Sequence, residues 1–276
     1  MKQVNVILSV LTLVSISLFS SAAQKKTDLE INNLDGKVKN VVTYVMKQVN
    51  GKNVKGQKKS ATLYNTKGFI TQNVLYDIKG GILRKEIRKY DSNGYFVEEL
   101  IYDKNDKLSL RYKFNLDKDG NRTIFYIDEG DGRLRKVESY KYDTNGNMIE
   151  EINYDTYGSS IIWTSVYKYD AEGNEIENKC NYTNGVLKHK FVSKYDKINN
   201  VKEGYKYTES EEKLTQKAIW KKNNKGKIIE SSIETFGENI QIAKFNYDAK
   251  GNLSEMIVTE QDGKFIEGTI YEYVYY

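Results

Sequence analysis

The 276-residue chain has no proline, one cysteine (Cys180) and one histidine (His189). Proline removes a backbone donor from a strand ladder, so its absence leaves every residue free to pair in a sheet. A single cysteine excludes an internal disulfide. Stability must then come from burial and hydrogen bonding. A single histidine excludes His-rich zinc sites, and any Ser-His-Asp or Cys-His site would have to use His189. No glycine-rich phosphate loop precedes a helix, and beyond the first residues no apolar run is long enough to span a membrane. There is also little excess of either charge. Forty-three Lys and Arg stand against 38 Asp and Glu, a net of +5. Lys and Glu are interspersed, which describes a solvated surface and argues against nucleic acid as a partner.

The chain opens "MKQVNVILSVLTLVSISLFSSAAQKK". Lys2 supplies a charged start, Val4 to Phe19 an apolar stretch, and Ser21-Ala22-Ala23 the small residues of a cleavage site. The pattern is a signal peptide over residues 1–23, with Gln24 first in the mature chain. The apolar stretch contains Ser and Thr and falls short of the roughly 20 residues a spanning helix needs. No cysteine near the cut offers a lipid attachment point. The expected organisation is a leader (1–23), a polar linker (24–35) and one repeat domain (36–276). The expected location is the periplasm, the cell surface or the exterior.

Tyrosine is abundant, with 23 residues, and it is spaced. Tyr90, Tyr142, Tyr169, Tyr195 and Tyr247 each begin Tyr-Asp, and Tyr64 begins Tyr-Asn in the same phase. Their separations are one or two multiples of about 26 residues, a repeat period. "LDKDGN" at Leu116 and "WKKNNKGK" at Trp220 fill the skipped positions. Tyr76, Tyr102, Tyr154, Tyr182 and Tyr207 form a second series between them. Each unit therefore holds two turns and two strands. Met148, Glu150, Ile152 and Tyr154 share one face by period two, as do Phe96, Glu98, Leu100 and Tyr102. In Asp143-Thr144-Asn145-Gly146 the Asp carboxylate can accept from the backbone two residues on, and Gly146 can take positive φ. Gly173 and Gly251 stand in the same place. Tyr-Asp thus marks the end of a strand and the start of a turn.

"YDTNGNMIEE", "YDAEGNEIEN" and "YDAKGNLSEM" resemble the YD repeats of the Rhs family, over most of residues 36–276. The resemblance implies an antiparallel β array, curled into a spiral shell in large members. Those members also carry a Pro-containing self-cleavage motif and a toxin tail. This chain has no proline and continues as strand to "TIYEYVYY", so neither activity carries over. A small, exported, repeat-only form of the Bacteroidetes type is the similar case. The expected fold is all-β, an antiparallel meander of about 15 strands in an elongated or spiral single sheet. Such an array would be modular, so cutting at Lys141 should leave a folded remainder. Its last strand, Thr269 to Tyr276, would be an open edge.

No catalytic, cofactor-binding or metal-ligating residue is assigned. "DKDGN" (Asp117, Asp119, Asn121) and "DEGDG" (Asp128, Glu129, Asp131) resemble fragments of calcium loops. They lack the bidentate Glu that closes an EF-hand, and they read as turns. His189 is in phase with Leu187 and Phe191 on a strand. Cys180 reads as a small apolar filler on a different strand, beyond the turn at Asn184-Gly185. Glu98-Glu99 and Glu150-Glu151 should point to opposite faces. Trp163 and Trp220 could stack on sugars, but packing in the sheet accounts for them. The expected function is a non-catalytic scaffold that binds protein or polysaccharide through its sheet surface. The alternatives are a component associated with toxin delivery or secretion, and a carbohydrate-active enzyme.

Overall fold

One Asp or Asn side chain organises each turn of the first series. Asp143 Oδ1 accepts from the backbone N–H of Asn145 and Asn147 at 2.9 and 2.8 Å. Its Oδ2 accepts from the Asn147 side chain at 3.0 Å. The Gly146 N–H donates to the Asp143 carbonyl at 3.1 Å, and the Asp143 N–H to the Asn147 carbonyl at 2.9 Å. Gly146 has φ 80°, and Gly173 and Gly251 have φ 80° and 87°. A side chain is strained in that region, so glycine closes the turn as expected. The strand register shifts next to it, between Lys141 and Tyr142.

The computed structural model describes residues 26–208, 213–236 and 238–276. The leader lies outside them. The strands are β1 (Val38–Val49), β2 (Lys52–Tyr64), β3 (Ile70–Tyr76), β4 (Ile82–Tyr90), β5 (Phe96–Asp103), β6 (Leu108–Leu116), β7 (Arg122–Asp128), β8 (Arg135–Tyr142) and β9 (Met148–Tyr154). They continue as β10 (Ile161–Tyr169), β11 (Glu175–Tyr182), β12 (Leu187–Asp196), β13 (Val201–Tyr207), β14 (Leu214–Lys222), β15 (Ile228–Thr235), β16 (Gln241–Tyr247), β17 (Leu253–Glu260) and β18 (Phe265–Tyr275). Among the described residues a short helix, α1 (Asp28–Ile31), precedes them. No helix among the described residues is long and apolar enough to cross a membrane.

Every strand pairs antiparallel with the next, and β18 pairs with β1 from Val38↔Tyr275 to Val45↔Thr269. This corrects the expected fold. The all-β, antiparallel hairpin character holds, but the sheet is a closed barrel of 18 strands, not an open or spiral meander of about 15. Closure satisfies the backbone groups an edge strand leaves bare. The last strand is therefore no edge, and the ring is not modular: a cut at Lys141 would open two edges at once. The undercount came from strands without the motif, such as those of the first hairpin, Val38 to Tyr64. Eighteen strands about 4.8 Å apart and tilted by about 40° close a round ring roughly 35 Å across between backbones.

Alternation divides each strand between lumen and exterior. On β10, Trp163, Ser165, Tyr167 and Tyr169 point inward, whereas Ile162, Val166 and Lys168 are exposed outside. The outward rows mix apolar and charged residues. One runs Glu177, Val192, Tyr205, Lys217 and Glu234 around the wall. Ion pairs tie neighbouring strands together, among them Lys89–Glu98 and Arg111–Glu98, both 2.5 Å, Lys168–Glu177 at 2.8 Å and Lys221–Glu230 at 2.6 Å. Inward residues of β14 to β17 form apolar clusters of Ala218, Trp220 and Ile233 and of Ala243, Met256 and Val258. Gly204 is needed here: a Cβ would meet the Trp220 ring at 2.9 Å.

Turns after the even strands and both chain ends of the described fold lie at one mouth. Turns after the odd strands form the other.

Candidate functional site: the lumen and its strapped mouth

The tyrosines of the Tyr-Asp series point into the lumen at the first mouth. Several reach back to a backbone carbonyl of the neighbouring strand. Tyr169 donates to Met148 O at 2.7 Å, Tyr195 to Glu175 O at 3.0 Å, and Tyr247 to Ile228 O at 2.6 Å. Tyr273, which precedes no aspartate, does the same to Leu253 O at 2.8 Å. The acceptor in each case opens the preceding, neighbouring strand. The repeated tyrosine is a clamp between two neighbouring strands, which the spacing alone did not reveal.

Residues 27–37 lie as a strap over this mouth. Thr27 caps α1 through a reciprocal capping box with Glu30. Asp28 is buried, and its carboxylate meets the Ile70 N–H at 2.8 Å, the Tyr90 hydroxyl at 2.6 Å and Arg88 at 3.2 Å. Leu29 and Leu34 pack on the cluster of Val38, Val41, Tyr64 and Ile70. At the far end Asp35 is held twice. Its N–H donates to Asn252 Oδ1 at 2.6 Å, and its carbonyl accepts from Asn252 Nδ2 at 3.0 Å. Its carboxylate pairs with Lys227 at 2.7 Å. Asn252 occupies the turn position whose counterparts, Asn147 and Asn174, bond their own Asp. In this last repeat the amide is diverted to the strap. The part of the stretch read as a polar linker that is described here is thus docked, through contacts more than 190 residues apart in sequence.

The inward wall is divided by chemistry. From the β2–β3 turn to β7 an aromatic ladder runs Phe69, Tyr90, Phe96, Phe114 and Phe125, with ring centroids 4.9 to 5.8 Å apart. Arg88 lies over Phe96 at 5.1 Å and Arg122 over Phe114 at 4.2 Å, contacts worth roughly 0.5–2 kcal/mol each. Burial holds the Arg122 guanidinium below its ordinary pKa. On β8 to β11 the wall is acidic. The Tyr140 hydroxyl donates to Glu138, and that of Tyr167 to Glu151 at 2.6 Å. Burial raises the pKa of Glu151 and of Glu175. Lys202 on β13 is lowered by burial.

One inward row crosses five strands as Tyr140, Glu151, Ser165, Cys180 and His189. Cys180 and His189 are therefore cross-strand partners. The sequence reading had kept them apart because a turn separates them, but a hairpin turn brings its two strands together. Their chemistry is still that of packing. Cys180 is fully buried, and burial raises its pKa. His189 is lowered to about 4, by burial and then by Lys188 and Lys206. A thiol and a neutral imidazole stand side by side where nucleophilic chemistry needs a thiolate.

The other weighed residues are placed plainly. Glu98 points out to Lys89 and Arg111, and Glu99 points in to Arg88 at 3.0 Å. Glu150 points out to Lys141 at 2.6 Å, and Glu151 points in. Asp117 and Asp128 spend their carboxylates on turn amides. Among the described residues no three His, Cys, Asp or Glu are grouped to hold a metal. Trp220 is buried in the wall, and Trp163 carries Lys188 over its ring at 4.2 Å.

Two cavities open at the strapped mouth. One, of about 360 Å³, lies beneath α1 against Asn32, Tyr64, Arg88 and Tyr273. The larger, of about 1180 Å³, is lined by Asp117, Asn121, Tyr140, Tyr142, Asp143 and Asn145.

No family model matches the sequence, and no curated protein matches it. Solved structures do. A porin-like protein from Bacteroides uniformis aligns over 86% of this chain and 98% of its own, with 7% identity and a TM-score of 0.45. A porin-like protein from Bacteroides vulgatus aligns over 87% and 99%, with 11% identity and a TM-score of 0.37. The Photorhabdus luminescens Tc holotoxin pore with a TccC3 mutation aligns over 81% of this chain and 13% of its own, with 10% identity and a TM-score of 0.38.

Proposed function

We propose that the protein is an exported, non-catalytic barrel of the YD-repeat type that binds a protein or polysaccharide partner outside the cytoplasm. The observation that carries this reading is the contrast between its two wall faces. The outer face is a mesh of Lys–Glu pairs with single apolar residues between them. A lysine or arginine facing lipid at mid-membrane costs about 2–4 kcal/mol, so this outside belongs in water. The inner face offers stacked rings, guanidinium groups and tyrosine hydroxyls around an open mouth. Aromatic surface with a polar rim is the kind that recognises partners. The leader pattern supports export.

The binding surface is thus the lumen wall and larger cavity, not the outside of the sheet. The test is capture of envelope proteins and of a glycan panel by the chain starting at Gln24. Replacing Phe114 and Tyr142 by Ala should abolish capture, while Lys221→Ala, on the outer face beside Glu230, should not. Turnover of any panel glycan, lost in Glu151→Gln without loss of folding, would replace this reading with the enzyme one. The second reading, a component associated with toxin delivery or secretion, draws on the YD repeats. Co-purification with a secreted toxin would favour it.

A further inference from the structure

The mouth opposite the strap carries unassigned apolar surface. Of the large hydrophobic side chains left exposed, most lie at this end, and they sit at loop tips: Val49, Ile78, Tyr157, Val186 and Phe236. Ile78 is 80% exposed. A second feature lies just behind them. The tyrosines here belong to the other series, and lysines cover their rings. Lys58 is 4.2 Å from the Tyr76 centroid, Lys85 4.9 Å from Tyr102 and Lys136 3.8 Å from Tyr154.

A third feature is charge. Val45 is the last β1 residue paired with β18, and Ser60 the last of β2 paired with β3. Beyond them the hairpin tip pairs only with itself, as a two-stranded ribbon. Residues 46–59 hold Lys47, Lys52, Lys55, Lys58 and Lys59 and no Asp or Glu. Beside the ribbon, the β3–β4 turn adds Lys79 to Ile78, Ile82 and Leu83. The turn's one acid, Asp77, is bonded to the amides of Lys79 and Gly81.

From these features we infer that the β1–β4 arc of this mouth docks on an anionic lipid bilayer, with the barrel standing on the surface rather than crossing it. Apolar tips, lysines and a belt of tyrosines are what the headgroup layer accommodates. Each lysine near an anionic surface strengthens binding by roughly fivefold. A spanning barrel needs an outward apolar band between two aromatic girdles. Here one belt exists at one end, and the outward rows are interrupted by charge.

The experiment is co-sedimentation of the chain starting at Gln24 with vesicles of phosphatidylcholine alone or with an equal part of phosphatidylglycerol. Binding should require phosphatidylglycerol and weaken with salt. Lys47→Glu/Lys52→Glu/Lys59→Glu should lower partitioning by roughly tenfold or more, and Val49→Asp/Ile78→Asp by a similar factor. Ile198→Asp, at an exposed tip of the strapped mouth, should leave binding intact. All these positions are exposed, and an unchanged melting temperature confirms folding. Equal binding to both vesicle types, no binding, or equal loss in Ile198→Asp would overturn the inference. So would a dimer in solution that Ile78→Asp dissolves, because the apolar tips would then meet a second copy.

Discussion

The two mouths of this barrel are built from the same residue types used in opposite ways. At the strapped mouth, tyrosines turn inward and spend their hydroxyls on backbone carbonyls, as Tyr247 does on Ile228. At the other, tyrosines turn outward under lysines, as Tyr102 does under Lys85. The first arrangement locks two neighbouring strands together. The second leaves ring and ammonium at the surface, where a pair contributes little to folding. Tyrosines of the strapped mouth such as Tyr247 therefore tie the wall together, whereas Tyr76, Tyr102 and Tyr154 keep their rings under lysines at the surface. What decides between them is the face that alternation gives each position.

The largest test of that contrast is Asp28. Asp28→Ala removes the acceptor of Ile70, Tyr90 and Arg88 together, and should cost about 3 kcal/mol or more because a buried amide and a buried hydroxyl lose their acceptor and Arg88 keeps only Glu99. For a domain of this size that is a melting-temperature drop of roughly 6–12 °C. Asp106→Ala at the other mouth, whose side chain is mostly exposed beside Lys85, should cost under about 1 kcal/mol. Equal losses in urea melts would show that the strap does not hold its mouth.

Gly146→Val comes next. A β-branched residue at φ 80° should cost about 2 kcal/mol. Lys141→Val, at an exposed ion pair, should change stability by under about 0.5 kcal/mol.

The pH dependence sharpens the contrast between lumen and exterior. His189 falls from an ordinary 6.5 to about 4 in the fold. Between those values the unfolded chain binds more protons than the folded one, so stability falls as pH drops from about 6.5 to 4. Partial exposure limits the loss to about 1–2 kcal/mol. His189→Gln should flatten that slope. Glu151 and Glu175 act in the opposite sense. Their raised pKa values mean the folded state holds protons longer, so stability declines as pH rises above the unfolded carboxyl value. Glu151→Gln should reduce that decline. A His189→Gln slope identical to the parent's would remove the imidazole from the account.

The smallest effect separates the tyrosine series directly. Tyr247→Phe should cost about 1 kcal/mol for one hydrogen bond, and Tyr102→Phe close to nothing. Chemical denaturation of the pair of variants reads the difference.

Much of the local structure was legible in the sequence. The Asp143, Asp170 and Asp248 turns, their glycines and the opposed faces of Glu98-Glu99 and Glu150-Glu151 follow from chemistry within five residues. The site was less legible. The Cys180–His189 pair required knowing that the two strands flanking Asn184-Gly185 align at those positions. The strap required Asn252 and Lys227 to be read as ligands of Asp35, although their turn motifs look like any other.

The sequence by itself determined the period, the turns, the strand faces and the all-β antiparallel character, because each depends on neighbours along the chain. Only the tertiary structure decided that the sheet closes, which carbonyl each tyrosine reaches, and that residues 27–37 lie across one mouth. Those outcomes depend on strand number, tilt and the register of β18 against β1. A closing strand pair looks like every other pair in the repeat. It forms because joining the ends satisfies two edges at once, a long-range gain that no local pattern records.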